Sequence, residues 1–276
     1  MAATAGLENP ARLASDRGSQ QAFLGVSALL FGASTAVTIA WCTSMSAMGG
    51  MPMPGGWTMS MTWMRMAGQS WLEAAASFLG MWVAMMVAMM LPSLIPMLQR
   101  YRESVVSTRA THLGTLTALV GVGYFFVWTA LGLVVFAVGV ALAEIEMQQP
   151  ALANAVPIAV GVVVLIAGSF QFTAWKARHL TCCREAPGLG RALPADSGTA
   201  WRHGLRLGLH CSRCCAGLMA ILLAIGVMDL GAMAVVAAVI TAERVAPAGV
   251  AVARGIGAVV VGAGLLQIAR AAGVVW

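Results

Sequence analysis

Six long apolar runs, at 22–41, 72–91, 113–143, 155–175, 217–242 and 250–269, decide what this chain can fold into. A helix needs about 20 mostly apolar residues to cross a bilayer core, because each residue advances it about 1.5 Å. Most of the runs reach that length. No stretch alternates apolar and polar residues as a membrane strand would, which excludes a β-barrel. The rest of the chain cannot build a water-facing domain either. Of all residues 60% are hydrophobic and 9% charged, against roughly 25% charged in a soluble chain. The expected fold class is all-α, a polytopic transmembrane helix bundle of about seven spans, with six as the alternative.

The span count turns on two runs. The run at 113–143 exceeds one straight crossing, and tilt absorbs the excess. The run at 217–242 contains Gly226, Met228-Asp229 and Gly231, and an Asp in mid-membrane is costly. A turn or broken helix there gives seven helices.

The formal net charge of +6 is not a nucleic-acid signal in such a chain, whose first partner is the lipid bilayer. Placement of Lys and Arg sets orientation instead. Arg100, Arg102 and Arg109 follow the second run, and Lys176, Arg178, Arg184, Arg191, Arg202 and Arg206 follow the fourth. The connection after the third run carries Glu144 and Glu146 and no basic residue. The basic connections are expected in the cytoplasm, with the N-terminus, and the 43–71 connection outside. Residues 1–21 read as a disordered cytoplasmic tail and 22–276 as one transmembrane helical domain. No basic segment leads into the first run as in a cleaved signal peptide, and Trp41 before Cys42 does not fit a lipoprotein cysteine. Arg244 and Arg254 before the last run fit seven helices and an outside C-terminus.

Methionine and cysteine are distributed unevenly. The chain has 19 methionines. In the outer connection stand Met45, Met48, Met51, Met53, Met59, Met61, Met64 and Met66, among Gly49-Gly50, Pro52, Pro54 and Gly55-Gly56. Along the second run come Met81, Met85, Met86, Met89, Met90 and, past a break at Pro92, Met97. Residues four apart stack on a helix, so Met85 and Met89 form one stripe and Met86 and Met90 its neighbour. Methionine is a flexible apolar filler in any membrane helix. An exposed Gly/Pro-rich connection has no core to fill, however, and clustered thioethers are soft ligands that select Cu(I). They also tolerate an oxidising compartment, where clustered thiols would form disulfides.

Five of the six cysteines lie between residues 182 and 215, in and just after the basic connection expected at 176–207. One group is His179, Cys182 and Cys183. The other is His210, Cys211, Cys214 and Cys215. On a helix Cys211, Cys214 and Cys215 share a face, and the two groups can meet if the linker folds back. Single buried cysteines are small hydrophobes, but this density points to chemistry. Thiolate and imidazole suit Cu(I), with zinc possible. A Cys-x-x-Cys step at a helix start could instead exchange disulfides. His203, in the linker, reads as solvated. Asp229 is a candidate hard ligand, proton relay or helix cap, and Glu243-Arg244 a self-contained pair. Gly161, Gly255, Gly257, Gly262 and Gly264 read as helix-contact glycines. No phosphate-binding loop, dinucleotide fingerprint or hydrolase elbow is present, and no enzyme activity is expected.

The stretch from Met81 through Met85-Met86, Met89-Met90 and Leu91-Pro92-Ser93 to Met97 resembles a bacterial family of predicted metal-binding integral membrane proteins. So do Gly208-Leu209-His210-Cys211-Ser212-Arg213-Cys214-Cys215, Gly226 to Leu230, and Glu243-Arg244. His179, Ala216, Asp229 and Arg244 stand where that family usually has Cys, Trp, Asn and Lys. His for Cys keeps a metal ligand. The resemblance implies a multi-pass protein of the bacterial inner membrane that binds a metal ion. With the sulfur clusters it gives a leading expectation of Cu(I) handling, with a copper chaperone or cuproenzyme as partner. A membrane thiol–disulfide carrier and a structural subunit of a membrane complex are the alternatives.

Overall fold

The computed structural model describes residues 10–66, 68–106, 112–184 and 194–274. Among them eight helices follow one another. They are α1 (Pro10–Ala47), α2 (Trp71–Val106), α3 (Leu113–Gln148), α4 (Pro150–Phe170), α5 (Ala174–Arg184), α6 (Ser197–Ile225), α7 (Leu230–Val245) and α8 (Gly249–Ala271). The all-α bundle expected from the apolar runs is what forms.

Six described helices, all but α5 and α7, are long and apolar enough to cross a membrane. Six rather than seven of the described helices therefore meet that criterion. The break in the fifth run falls where expected, with Gly226 at φ +140° and the Asp229 carboxylate accepting from the Ala232 N–H at 2.8 Å as the cap of α7. But α7 has only 16 residues, about 24 Å of helix against a core of about 30 Å.

Polar ends are more helical than hydropathy suggests. The first helix starts at Pro10 and so takes in residues 10–21 of the expected tail, while 1–9 lie outside the described residues. Most of the described part of the 176–207 connection is helix too, in α5 and the first turns of α6. Ala, Leu, Arg and Gln favour helix whether or not lipid surrounds them. Pro92 and Pro96 do not break α2, which runs on to Val106. Each removes one backbone donor, which a membrane helix tolerates when neighbouring groups compensate.

Glycines set the closest helix contacts. α4 and α8 pack antiparallel, Gly161 against Gly264 and Ile268, Gly168 against Val260 and Val261, Gly257 against Gln171. Gly255 and Gly262, also expected as helix-contact glycines, face open space. α3 and α6 pack parallel through Gly123, Gly204 and Gly208, with Gly204 lying directly on the Val120 carbonyl. Small residues let backbones approach this way in the absence of a hydrophobic driving force between helices. The core lies along α2, where Trp82, Met85, Met86, Met90 and Leu94 are all buried.

The connection after α1 is not a free loop. Strands β1 (Met51–Met53) and β2 (Trp57–Met59) form an antiparallel hairpin, with Met51 opposite Met59. Its three-residue turn carries Gly55 at φ +93° and Gly56 at φ +75°, values that suit glycine. The Trp57 indole N–H donates to the Ala153 carbonyl of α4 at 2.8 Å, and Trp63 covers Gly139 of α3. The hairpin is thus clamped onto the ends of α3 and α4.

Candidate metal centre

The site is built on α6. Asp196 caps the helix, its carboxylate accepting from the Thr199 N–H at 2.8 Å, and those Thr199 bonds hold the exposed carboxyl below its ordinary range. From there the helix turns Leu207, Cys211, Cys214, Cys215, Leu218 and Leu222 inward. The spacing is that of an apolar helix face, and the cysteines occupy its middle.

Because Gly204 and Gly208 have no side chains, α3 lies close enough for Tyr124 to reach the first cysteine. The Tyr124 hydroxyl donates to Cys211 Sγ at 2.9 Å. Cys211 Sγ and Cys215 Sγ are 3.9 Å apart, one helical turn from each other. All three cysteines are 1% exposed or less.

Charge surrounds the pair. Lys176 of α5 reaches in to donate to the Cys214 carbonyl at 2.7 Å and forms an ion pair with Glu243 of α7, also at 2.7 Å. Both side chains are almost wholly buried, at 2% and 1% exposure. Arg244 donates from Nη1 to Ser93 Oγ of α2 at 2.9 Å. Glu243 and Arg244 were expected to pair with each other. Consecutive helical residues do not face one another, and each instead finds a partner on a different helix. Lys176, placed by the sequence in the basic connection, is a buried strut rather than a loop charge.

The expected ligands separate into three groups. Cys211, Cys214 and Cys215 come together. His210 is half-buried beside them, and its Nδ1 is buried with no hydrogen-bond partner among the described residues. His179 stacks on Trp175 at 3.9 Å with its Nδ1 beside the Trp175 carbonyl. The side chains of Cys182 and Cys183 lie outside the described residues. His203 is half-buried and stacks on Tyr101 at 5.2 Å.

The methionines form the second group. On α2, Met85, Met86, Met89 and Met90 are all buried, so both stripes face the bundle and neither faces lipid. In the hairpin, Met51, Met53 and Met59 share a face, since strand residues two apart and direct cross-strand partners point the same way. Met59 is 2% exposed, so this part of the connection fills a core that the sequence did not reveal. Met45 and Met61 are half-buried and Met48 is exposed.

Asp229 stands alone as the exposed cap of α7, at the opposite end of that helix from Glu243, about 21 Å away by helical rise. It is not brought to the cysteines. Among the described residues no group of three or more His, Cys, Asp or Glu is arranged to hold a metal ion. What the bundle offers is a sulfur pair. With metal–sulfur bonds of about 2.3 Å, sulfurs 3.9 Å apart subtend an angle between tetrahedral and trigonal at one ion.

A family model, PpoB2, described as a copper chaperone, matches residues 79–267, more than half of the chain. The match takes in all of α3 to α7 and most of α2 and α8. No curated protein and no solved structure matches.

Proposed function

The chain belongs to the PpoB2 copper-chaperone family, and from there we propose that it holds Cu(I) inside a membrane bundle on the thiolates of Cys211 and Cys215. The observation that carries this reading is the buried pair of sulfurs 3.9 Å apart, with a tyrosine hydroxyl on one of them. Two thiolates at that angle leave room for a further ligand, and a soft thiolate site of this kind suits Cu(I). Zinc asks for four tetrahedral ligands, and the described residues do not gather them here.

In this reading the methionines are the route. Met51, Met53 and Met59 of the hairpin receive the ion, and the buried thioethers of Met85, Met86, Met89 and Met90 pass it along α2 by ligand exchange. His210 and His179, with Cys182 and Cys183, take it on the other side of the cysteine pair. The same ladder works in reverse, so the direction follows from which partner, a copper chaperone or a cuproenzyme, loads or unloads it. The membrane is the bacterial inner membrane, and no covalent catalysis is involved.

The test is the metal content of the full chain, purified in detergent without oxygen and loaded with Cu(I), beside a Cys211→Ser/Cys215→Ser variant. Copper in the wild type, lost from the variant, supports the pair as the site. Equal copper in both would move the site elsewhere. No copper in either, under reducing conditions, would sink copper holding and bring forward thiol–disulfide exchange by Cys211 and its neighbours.

A further inference from the structure

We infer that Cys42 and Met228 form a second Cu(I) site, where α1 meets the break between α6 and α7. The inference rests on the reading of this chain as one that holds Cu(I), and it adds a site apart from the Cys211–Cys215 pair and from the methionines of α2.

Cys42 Sγ lies 3.8 Å from Met228 Sδ, across 186 residues of sequence. The two sulfurs arrive from different elements. Cys42 is in the last turns of α1, which packs along α2 with Trp41 over Gly80. Met228 stands in the turn between Ile225 and Leu230, where Gly226 at φ +140° ends α6. Cys42 is 2% exposed and Met228 half-buried, so the thiol is enclosed and the thioether is partly open. Met45, three residues on from Cys42 and half-buried, lies on the same side of α1. Cys42 also shares a buried core with Met81 of α2.

A thiol is a weak donor and a thioether a weak acceptor, so hydrogen bonding contributes little to this contact. Ligand chemistry gives it a use. At metal–sulfur bonds of about 2.3 Å the two sulfurs subtend a near-tetrahedral angle at one ion, with room for a third donor such as Met45. One thiolate and one neutral thioether bring a single negative charge. Cu(I) takes the place of the thiol proton, which leaves to solvent, and the complex stays neutral. A divalent ion would leave an uncompensated positive charge in an apolar setting. Asp229, next to Met228, is exposed and already accepts from the Ala232 N–H at 2.8 Å as the cap of α7. The site stands near the hairpin, beyond Ile225, which is itself about 15 Å along α6 from Cys215 by helical rise. With one thiolate where the cysteine pair has two, it binds more weakly and empties when free copper is removed. That suits an ion in transit between the hairpin and α2.

The experiment titrates full chains in nanodiscs, without oxygen, with Cu(I) released from a chromophoric chelator. Wild type is expected to show a tight step and a weaker one. Cys42→Ala and Met228→Leu are each expected to lose the weaker step and keep the tight one. Cys211→Ser/Cys215→Ser is expected to do the reverse. Met228→Leu nearly conserves volume, so it answers for the site should Cys42→Ala fail to fold. A weaker step that survives in either variant, or a wild type with the tight step alone, would overturn the inference and leave the copper reading standing. A Cys211→Ser/Cys215→Ser variant that titrates like the wild type, while Cys42→Ala and Met228→Leu lose a step, would overturn the cysteine pair and leave this site. A wild type that binds no Cu(I) removes both.

Discussion

The Tyr124 hydroxyl lies 2.9 Å from Cys211 Sγ, joining residues 87 positions apart on two helices that touch through glycine. The bond ties the packing of α3 on α6 to the chemistry of the sulfur pair. Tyr124→Phe removes one oxygen and keeps the ring. A net hydrogen bond contributes about 1 kcal/mol, so Cu(I) retention is expected to fall roughly fivefold, with little change in thermal stability. Competition titration with a Cu(I) chelator measures it. Unchanged retention would reduce the hydroxyl to a packing group.

The Lys176–Glu243 pair fastens α5 to α7 beside the cysteines. Removing one partner strands a buried charge, and Lys176→Met or Glu243→Met is expected to destabilise the protein by about 3–5 kcal/mol. The double variant Lys176→Met/Glu243→Met leaves no charge and is expected to recover most of that loss. Chemical unfolding of the four proteins in detergent closes the cycle. A double variant as unstable as the sum of the singles would mean that the two charges act separately.

How much of this was legible follows from the range of each signal. Hydropathy and helical period act over a few residues, so the apolar helices, the break at Gly226 and Asp229, and the clustering of Cys211, Cys214 and Cys215 on one face could be read directly. The partners of Lys176 and Arg244 could not. Lys176 meets Glu243 across 67 residues and Arg244 meets Ser93 across 151, and no local pattern encodes either distance. The helix of the polar first half of α6 was hidden for a related reason. Its arginines signal water, while its helix comes from propensity and from glycines that dock it on α3. The hairpin escaped because three-residue strands are too short to show alternation.

Gly204 and Gly262 test whether helix approach positions the site. A Cβ at Gly204 would run into the Val120 carbonyl, which is backbone and cannot swing aside. Gly204→Ala is therefore expected to destabilise by about 1–3 kcal/mol and to weaken Cu(I) retention as Tyr124 moves off Cys211. Gly262 has nothing within 4 Å of its would-be Cβ, and Gly262→Ala is expected to be neutral or to stabilise by up to about 1 kcal/mol. Thermal unfolding and chelator competition on both variants separate the cases. Equal effects at the two positions would show that the α3–α6 contact has no special bearing on copper.

The methionines of α2 present the sharpest choice between packing and transfer. Met86 and Met90 are each 0% exposed, so filling the core is a sufficient reason for them to be apolar but not for them to contain sulfur. Leucine has nearly the same volume, and such swaps usually cost less than about 1.5 kcal/mol each. Met86→Leu/Met90→Leu should therefore fold, and it removes two soft ligands without opening a cavity. If copper steps along α2, the Cys211–Cys215 pair in the variant will still bind Cu(I) at equilibrium but will fill and empty more slowly. The measurement is the rate of anaerobic copper uptake into vesicles containing the full chain, with Met48→Leu, at an exposed position, as the control. A slowed rate with unchanged equilibrium binding assigns these two thioethers to the route. A wild-type rate would make them packing residues, and the ion would have to reach the cysteines from the α5 side, past His179 and His210.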